Sequence, residues 1–341
     1  MDHDFLPKCA KDLPINPKLR RIVKSDPKCV IGRHGRADGG LMQSETMSLA
    51  RELAVAHTGE GLTPLGLGDA VILRRCHPSE IEATLYRPLL CLILQGAKEV
   101  SAGSIFAHCP AGHAIIVSHD LPVLSRITEA APEVPYVAFV LPIDLGLLHG
   151  FYDLVPDFPA DNEDVAALMS YPAETLLLDA VARFIALSRD KAAAPLLGPI
   201  LTREIHARLL LSPQGAILRR FLRREDPSRH VARAIATIHE SIDEPVSVSE
   251  LADHAGMSKS SFHTHFKAVT GLTPGQYQKD VRLLEAHRLI IEGKGTISAV
   301  AFDVGYESPA HFSRDYARKF GRAPREDRNS GRQAGSVAEL A

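Results

Sequence analysis

The chain has 341 residues, 45% hydrophobic and 23% charged, with a formal net charge of −2. Such a mixture predicts a soluble globular protein, and the length predicts two domains rather than one core. The longest apolar runs, such as Leu89–Leu94, are too short to cross a bilayer, and no apolar h-region opens the chain, so neither a membrane span nor a secretory signal is expected.

Residues 1–45 mix Pro, Lys, Asp and Gly without sustained periodicity and read as a disordered leader, with Met42 and Met47 as alternative natural starts. A first helix pattern, LARELAVAHT, follows. From Gly61 short apolar runs alternate with Gly, Pro and Asp. Candidate strands are Ala70–Arg74, Leu89–Gln95, Lys98–Ser101, Ala114–Ser118, Val123–Thr128 and Tyr136–Leu141. Short, closely spaced strands predict a sandwich or small barrel, and the unbroken run Leu89–Leu94 predicts a strand buried on both faces.

After Pro142 the period changes from 2 to 3.6, predicting helices over Val165–Met169, Thr175–Leu187 and Leu196–Leu211, interrupted at Pro172 and by the Pro195–Pro199 segment. Pro213 opens another, carrying Ile217, Leu218, Phe221 and Leu222. These helices have more apolar face than they can hide alone, so they are expected to pack on the barrel and to pair with a second subunit. The polar break Glu225–Ser228 divides the chain. A helix over His230–Ile242 follows it, with Val231, Ile235 and Ile238 on one face. The expected division is therefore a leader (1–45), a β-rich domain with trailing helices (46–225), an all-helical domain (228–328) and a frayed tail (329–341).

The all-helical part contains one pattern twice: VSVSELADHAGMSKSSFHTHFKAVTG from Val246 and TISAVAFDVGYESPAHFSRDYARKFG from Thr296. In the first copy Ser247 and Glu250 form a capping box, Leu251 and Ala252 point inward, Gly256 turns the chain, Met257 plugs the corner and Ser258 caps the next helix. Phe262, Phe266 and Val269 fall at i, i+4 and i+7 and define its buried side, leaving Ser260, His263, Thr264 and Lys267 outside. In the second copy Ala301 and Phe302 are inward, Gly305 turns, Tyr306 plugs and Ser308 caps, with Pro309 in the first turn. Phe312, Tyr316 and Phe320 hold that helix down, and Ala310, His311, Arg314, Arg318 and Lys319 face out.

Each copy has the shape of a helix-turn-helix unit, whose second helix reads the major groove with short polar and cationic side chains. The joining helix, from Pro274 to Glu292, spans about 27 Å, compatible with two such helices entering grooves roughly 34 Å apart. Between Ser258 and Arg328 there are 12 Lys and Arg against 8 Asp and Glu, a net of +4. Arg314 is the best candidate for guanine, because its planar fork fits the O6/N7 pair. Lys267, Arg318, Lys319 and Arg322 are candidate phosphate contacts, with Lys279 and Arg282 evenly balanced between that role and solvation.

Other chemistries have weaker claims. His263 and His265 form an H-x-H, but side chains at i and i+2 of a helix point to different faces. His77, His108, His113 and His119 lack the close H-x-H plus carboxylate of a metal cupin. The five cysteines, Cys9, Cys29, Cys76, Cys91 and Cys109, make an odd count with no C-x-x-C, which suits a reducing cytoplasm. Cys76, Cys91 and Cys109 are candidate sensors of electrophiles or oxidants, although Cys91 inside an apolar strand reads better as a small buried hydrophobe. No Ser-His-Asp constellation, Walker loop or Rossmann fingerprint occurs. No catalytic residue, metal or cofactor is assigned.

The doubled pattern, and above all the run AFDVGYESPAHFSRDYARKFGRAP, resembles the AraC/XylS class of bacterial transcription regulators. Upstream, Tyr86-Arg87-Pro88-Leu89-Leu90-Cys91 with Leu94-Gln95-Gly96-Ala97-Lys98, and Val117–Val123, resemble the AraC-type N-terminal sensor. One departure is Asp327, where an aromatic commonly follows the final Pro. The resemblance implies an α+β multidomain protein: an N-terminal β-rich, cupin-like barrel with trailing helices, then an all-α double helix-turn-helix. It implies a cytoplasmic, sequence-specific regulator that binds double-stranded DNA, answers to an unidentified small-molecule effector and acts as a homodimer, with RNA polymerase a candidate partner. The competing readings are a cupin-type enzyme with an accessory DNA-binding tail, and an interaction module with degenerate helices.

Overall fold

The computed structural model describes residues 37–56, 59–152, 154, 166–223 and 226–329. The expected leader up to residue 36 and the tail from residue 330 lie outside them. Helix α1 runs over Ala37–Val55. Among the described residues, ten strands follow, interleaved with one helix: β1 (Gly61–Pro64), β2 (Val71–Arg75), β3 (Glu82–Tyr86), β4 (Leu89–Gln95), β5 (Ala97–Ala102), β6 (Ile105–Pro110), β7 (His113–Val117), β8 (Leu121–Glu129), β9 (Tyr136–Pro142), α2 (Leu145–Tyr152) and β10 (Leu168–Pro172). Helices α3 (Thr175–Leu187), α4 (Ala194–Leu211) and α5 (Ala216–Leu222) complete this half.

Two antiparallel sheets result, ordered β1-β2-β9-β4-β7-β10 and β3-β8-β5-β6. Strand β4 shows why its sequence is unbroken apolar. Leu90, Leu92 and Leu94 pack with Phe184, Ile185 and Leu209 of the helices, whereas Cys91 and Ile93 face the second sheet. A strand covered on both faces has no polar side to show. In β5 the pattern alternates: Val100 and Ala102 turn to the shared interior, while Glu99, on the other face, pairs with Arg126 of β8 at 2.8 Å.

Three differences from the sequence reading have local causes. Helix α1 begins at Ala37, inside the stretch read as leader; Ala50 and Ala54 dock its C-terminal half in the core, and a nucleated helix propagates by one backbone bond per added residue. Leu168 and Met169 lie in a strand rather than a helix. Five residues cannot separate a period of 2 from 3.6, and the outer edge of β7 decides by pairing Leu168 with Val117 and Met169 with Ile116. Pro199 sits inside α4 instead of breaking it; it forfeits one bond near the exposed start of the helix. Strands β1, β3 and β6 were not read, being short and flanked by ordinary loop residues.

The C-terminal half comprises α6 (Pro227–Glu240), α7 (Val248–His254), α8 (Lys259–Thr270), α9 (Pro274–Ile291), α10 (Ile297–Asp303) and α11 (Pro309–Phe320), with a last helical stretch at 324–329. The first repeat and its flanking helices share one hydrophobic cluster with the interior of the sheets, through residues such as Val231, Phe262, Phe266 and Tyr277. The second repeat has a separate core of Leu283, Ala286, Val300, Tyr306, Phe312 and Tyr316.

Candidate nucleic-acid interface

Each repeat is built by its caps. Ser247 Oγ accepts from Glu250 N at 3.3 Å, and Ser258 Oγ accepts from Ser261 N at 3.2 Å. In the second repeat Thr296 Oγ1 accepts from Ala299 N at 3.1 Å and Ser308 Oγ from His311 N at 3.4 Å. Each satisfies a backbone donor that the first helical turn cannot. The reciprocal capping box forms on the joining helix, between Thr273 and Gln276. At the second turn Gly305 has φ +81°, and a β-carbon there would lie 2.2 Å from the carbonyl oxygen of Asp243. Only glycine allows both the left-handed backbone and that approach.

With Phe262 and Phe266 fully buried, the opposite side of α8 exposes Ser260, His263, Thr264 and Lys267. Phe312 and Tyr316 anchor α11 in the same way and leave Ala310, His311, Arg314 and Arg318 exposed. The joining helix α9 has 18 residues, about 27 Å at 1.5 Å per residue.

Two residues depart from the sequence reading. Lys319 is turned inward: its side chain is 9% exposed and its Nζ lies 3.0 Å from Asp280 Oδ1 on α9, so it ties two helices together. Phe302 is 54% exposed, because Val300 and Ala301 already fill the inward face of the two-turn helix α10. The two cations on the joining helix are also committed within the protein. Arg282 donates to the carbonyl oxygens of Ile242, Asp243, Glu244 and Gly305 at 2.6–3.0 Å, clamping the loop after α6 to the second turn. Lys279 pairs with Asp315.

Asp315 was not singled out from the sequence. Its side chain is 2% exposed, yet it collects Lys279 Nζ at 2.7 Å, Arg318 Nη1 at 3.1 Å and His311 Nε2 at 3.3 Å. Burial pushes this carboxyl up, but Lys279, His311 and Arg318 outweigh it and hold the group below the usual carboxylate range. The spacings i−4 to His311 and i+3 to Arg318 were legible; the third cation, on another helix, was not. Asp327 replaces an aromatic anchor with a polar one. It is buried, accepts from Tyr316 Oη at 2.8 Å and lies 3.4 Å from Arg322 Nε. His287 Nδ1 completes the group, 2.6 Å from Tyr316 Oη.

The first repeat and the helices on either side of it also touch the β-rich half directly. Tyr277 Oη donates to the carbonyl oxygen of Asp120 at 2.8 Å, and His119 Nε2 lies 2.8 Å from the carbonyl oxygen of Ser228. The β5–β6 turn meets the α8–α9 turn through Ser104 N, which donates to the Gly271 carbonyl oxygen at 3.1 Å. A β-carbon on Gly103 would come within 2.2 Å of that same oxygen. Among the described residues, no group of three or more His, Cys, Asp or Glu side chains is arranged to hold a metal ion, and no helix is long and apolar enough to cross a membrane.

Residues 69–217 match the family described as the AraC-type transcriptional regulator N-terminus, and residues 251–330 match a helix-turn-helix domain family. The chain is similar to the virulence regulon transcriptional activator VirF of Yersinia enterocolitica, 26% identical over 53% of this chain and 66% of VirF. It is also similar to the transcriptional activator RhaS of Escherichia fergusonii, 34% identical over 32% of this chain and 39% of RhaS. The chain thus matches just under two thirds of VirF's own length. Among solved structures, apo ToxT from Vibrio cholerae aligns with a TM-score of 0.49 at 10% identity, over 79% of this chain and 98% of ToxT.

Proposed function

This chain belongs to the AraC family of transcription regulators, and from that premise we propose that it reads a bipartite DNA site under control of its β-rich half. The observation that carries this reading is the pair of capped helices, α8 and α11, linked through α9 and with their polar faces exposed. Ser260, His263, Thr264 and Lys267 address one groove; Ala310, His311, Arg314 and Arg318 address the next. Arg314 supplies the direct contact to guanine, as a bidentate donor. Lys319 has no part in this, since it is held by Asp280.

The β-rich half binds a small-molecule effector and pairs two copies of the chain in the cytoplasm. Pairing is supported by the start of α4, where Leu196, Leu197 and Ile200 are exposed close together; an exposed apolar patch of that kind marks an interaction face. The β5–β6 turn against Gly271 gives the two halves a direct route of communication.

Selection of fragments bound by the full chain from random DNA tests this function. The expected product carries two short motifs about one helical turn apart, about 10 base pairs. Enrichment of a single motif, or of none, would overturn the bipartite reading.

A further inference from the structure

The facing interior of the two sheets holds a group of polar side chains that the DNA-reading machinery does not use. Lys98 lies on β5 directly opposite Cys109 on β6, so both stand on the inner face of the smaller sheet. Cys91 on β4 and Tyr136 on β9 belong to the same cluster from the larger sheet. Lys98 is 6% exposed, and Tyr136, Cys91 and Cys109 are buried.

The hydrogen-bond inventory of this group is lopsided. Lys98 Nζ donates to Tyr86 Oη at 2.5 Å and pairs with no carboxylate among the described residues. Glu99, the nearest acid in sequence, is on the other face with Arg126. Because Tyr86 oxygen accepts from the ammonium, its own O–H remains a donor. The Tyr136 hydroxyl is fully buried and has no hydrogen-bond partner; the Cys91 thiol in the same cluster is a weak acceptor at best. Two ammonium protons of Lys98 and the phenol proton of Tyr136 thus have no recorded acceptor among the described residues. A buried ammonium without a counter-ion, beside an unsatisfied hydroxyl, is costly. Burial disfavours the Lys98 charge, and the Tyr86 hydroxyl that accepts from the ammonium favours it.

A carboxylate meets this demand, because it is acceptor-only, carries about four lone-pair sites and neutralises the charge. We propose that the sheet interior binds a small organic carboxylate, held by Lys98 Nζ and by the hydroxyls of Tyr86 and Tyr136, with its apolar body against Ile93, Val100 and Ile115. This rests on the reading of the β-rich half as the effector-binding half, and names the ligand's chemical class. The site also has a path outward: β5 runs from Lys98 to Ala102, next to the Gly103 turn that meets Gly271 of the DNA-reading half.

The test uses the full chain with acetate, butyrate, hexanoate and benzoate, each beside its neutral amide, read by thermal unfolding and titration calorimetry. At least one acid is expected to raise Tm and bind, with its amide doing neither. Lys98→Met should abolish the response. Tyr136→Phe, which keeps the ring and removes one buried oxygen, should weaken binding by about tenfold, the usual effect of losing a hydrogen bond to a charged group. No response to any of the acids, equal binding of acid and amide, or undiminished binding by both variants would overturn the proposal. A DNA mobility shift on the same protein separates the two ideas. Without DNA binding the regulator reading fails, whereas intact DNA binding with no acid response sinks only the carboxylate.

Discussion

Lys279 Nζ sits 2.7 Å from Asp315 Oδ2, so the helix that joins the two repeats is tied to a carboxylate buried beneath the second recognition helix. The same carboxylate takes Arg318 and His311, two side chains on the exposed face of α11. Asp315→Asn keeps the volume and removes the charge that gathers these cations. Because Lys279, Arg318 and His311 are themselves exposed by more than a third, solvent screening limits the expected stability loss to about 1 kcal/mol. The larger expected effect is on binding: footprinting should show the half-site under α11 weakened and the half-site under α8 retained. An unchanged footprint with the stability loss would make Asp315 a packing residue only.

Arg314 is exposed on α11 and makes no ion pair among the described residues. Arg314→Ala should cost about 1–3 kcal/mol in binding the selected site, the range for a lost bidentate base contact, and should change affinity for random DNA far less. Equal losses on both DNAs, in competition mobility shifts, would reassign Arg314 to a phosphate.

The His119 ring is buried between Ser118 Oγ, 2.7 Å from Nδ1, and the Ser228 carbonyl oxygen, 2.8 Å from Nε2, and burial pushes it down to about 4. Its folded value lies below the ordinary 6.5, so the unfolded chain binds the extra proton between those values. Stability from this group is therefore full above pH 6.5 and falls as pH drops toward 4, by up to about 3 kcal/mol. Chemical denaturation across that range should show the decline, and His119→Gln should flatten it. A slope identical in both proteins would mean that other groups govern it.

Ile200 lies on α4 beside Leu196 and Leu197, all exposed. Ile200→Glu places a charge in that patch without touching the core. Mass measurement in solution should show the wild type as a dimer and the variant shifted toward monomer. A dimer undisturbed by Ile200→Glu would move the pairing face elsewhere.

What could be read from the sequence followed from local rules. Caps at Ser258, Thr296 and Ser308, left-handed glycines at the turns and apolar residues at i, i+4 and i+7 act within one or two helical turns, so the order of residues is enough to place them. The central strands were legible for a similar reason, since continuous apolar character marks a strand covered on both sides. What sequence order could not supply was competition between elements. Ala301 and Phe302 are the pair expected on the inward face of α10, and the space beneath it took Val300 with Ala301 instead. Lys319 and Arg318 were equal as candidate DNA contacts until Asp280 on α9 stood within reach of one of them.

Leu168 and Met169 became a strand because β7 had an edge to offer, and Asp327 could stand in for an aromatic because Tyr316 and Arg322 were there to meet it. The sequence by itself therefore determined a β-rich half followed by two helix-turn-helix units, and which faces of their second helices are polar. Only the tertiary structure decided which polar groups remain available. Charge pairing and steric filling act between residues that are distant in the chain, and they are settled only when the elements pack.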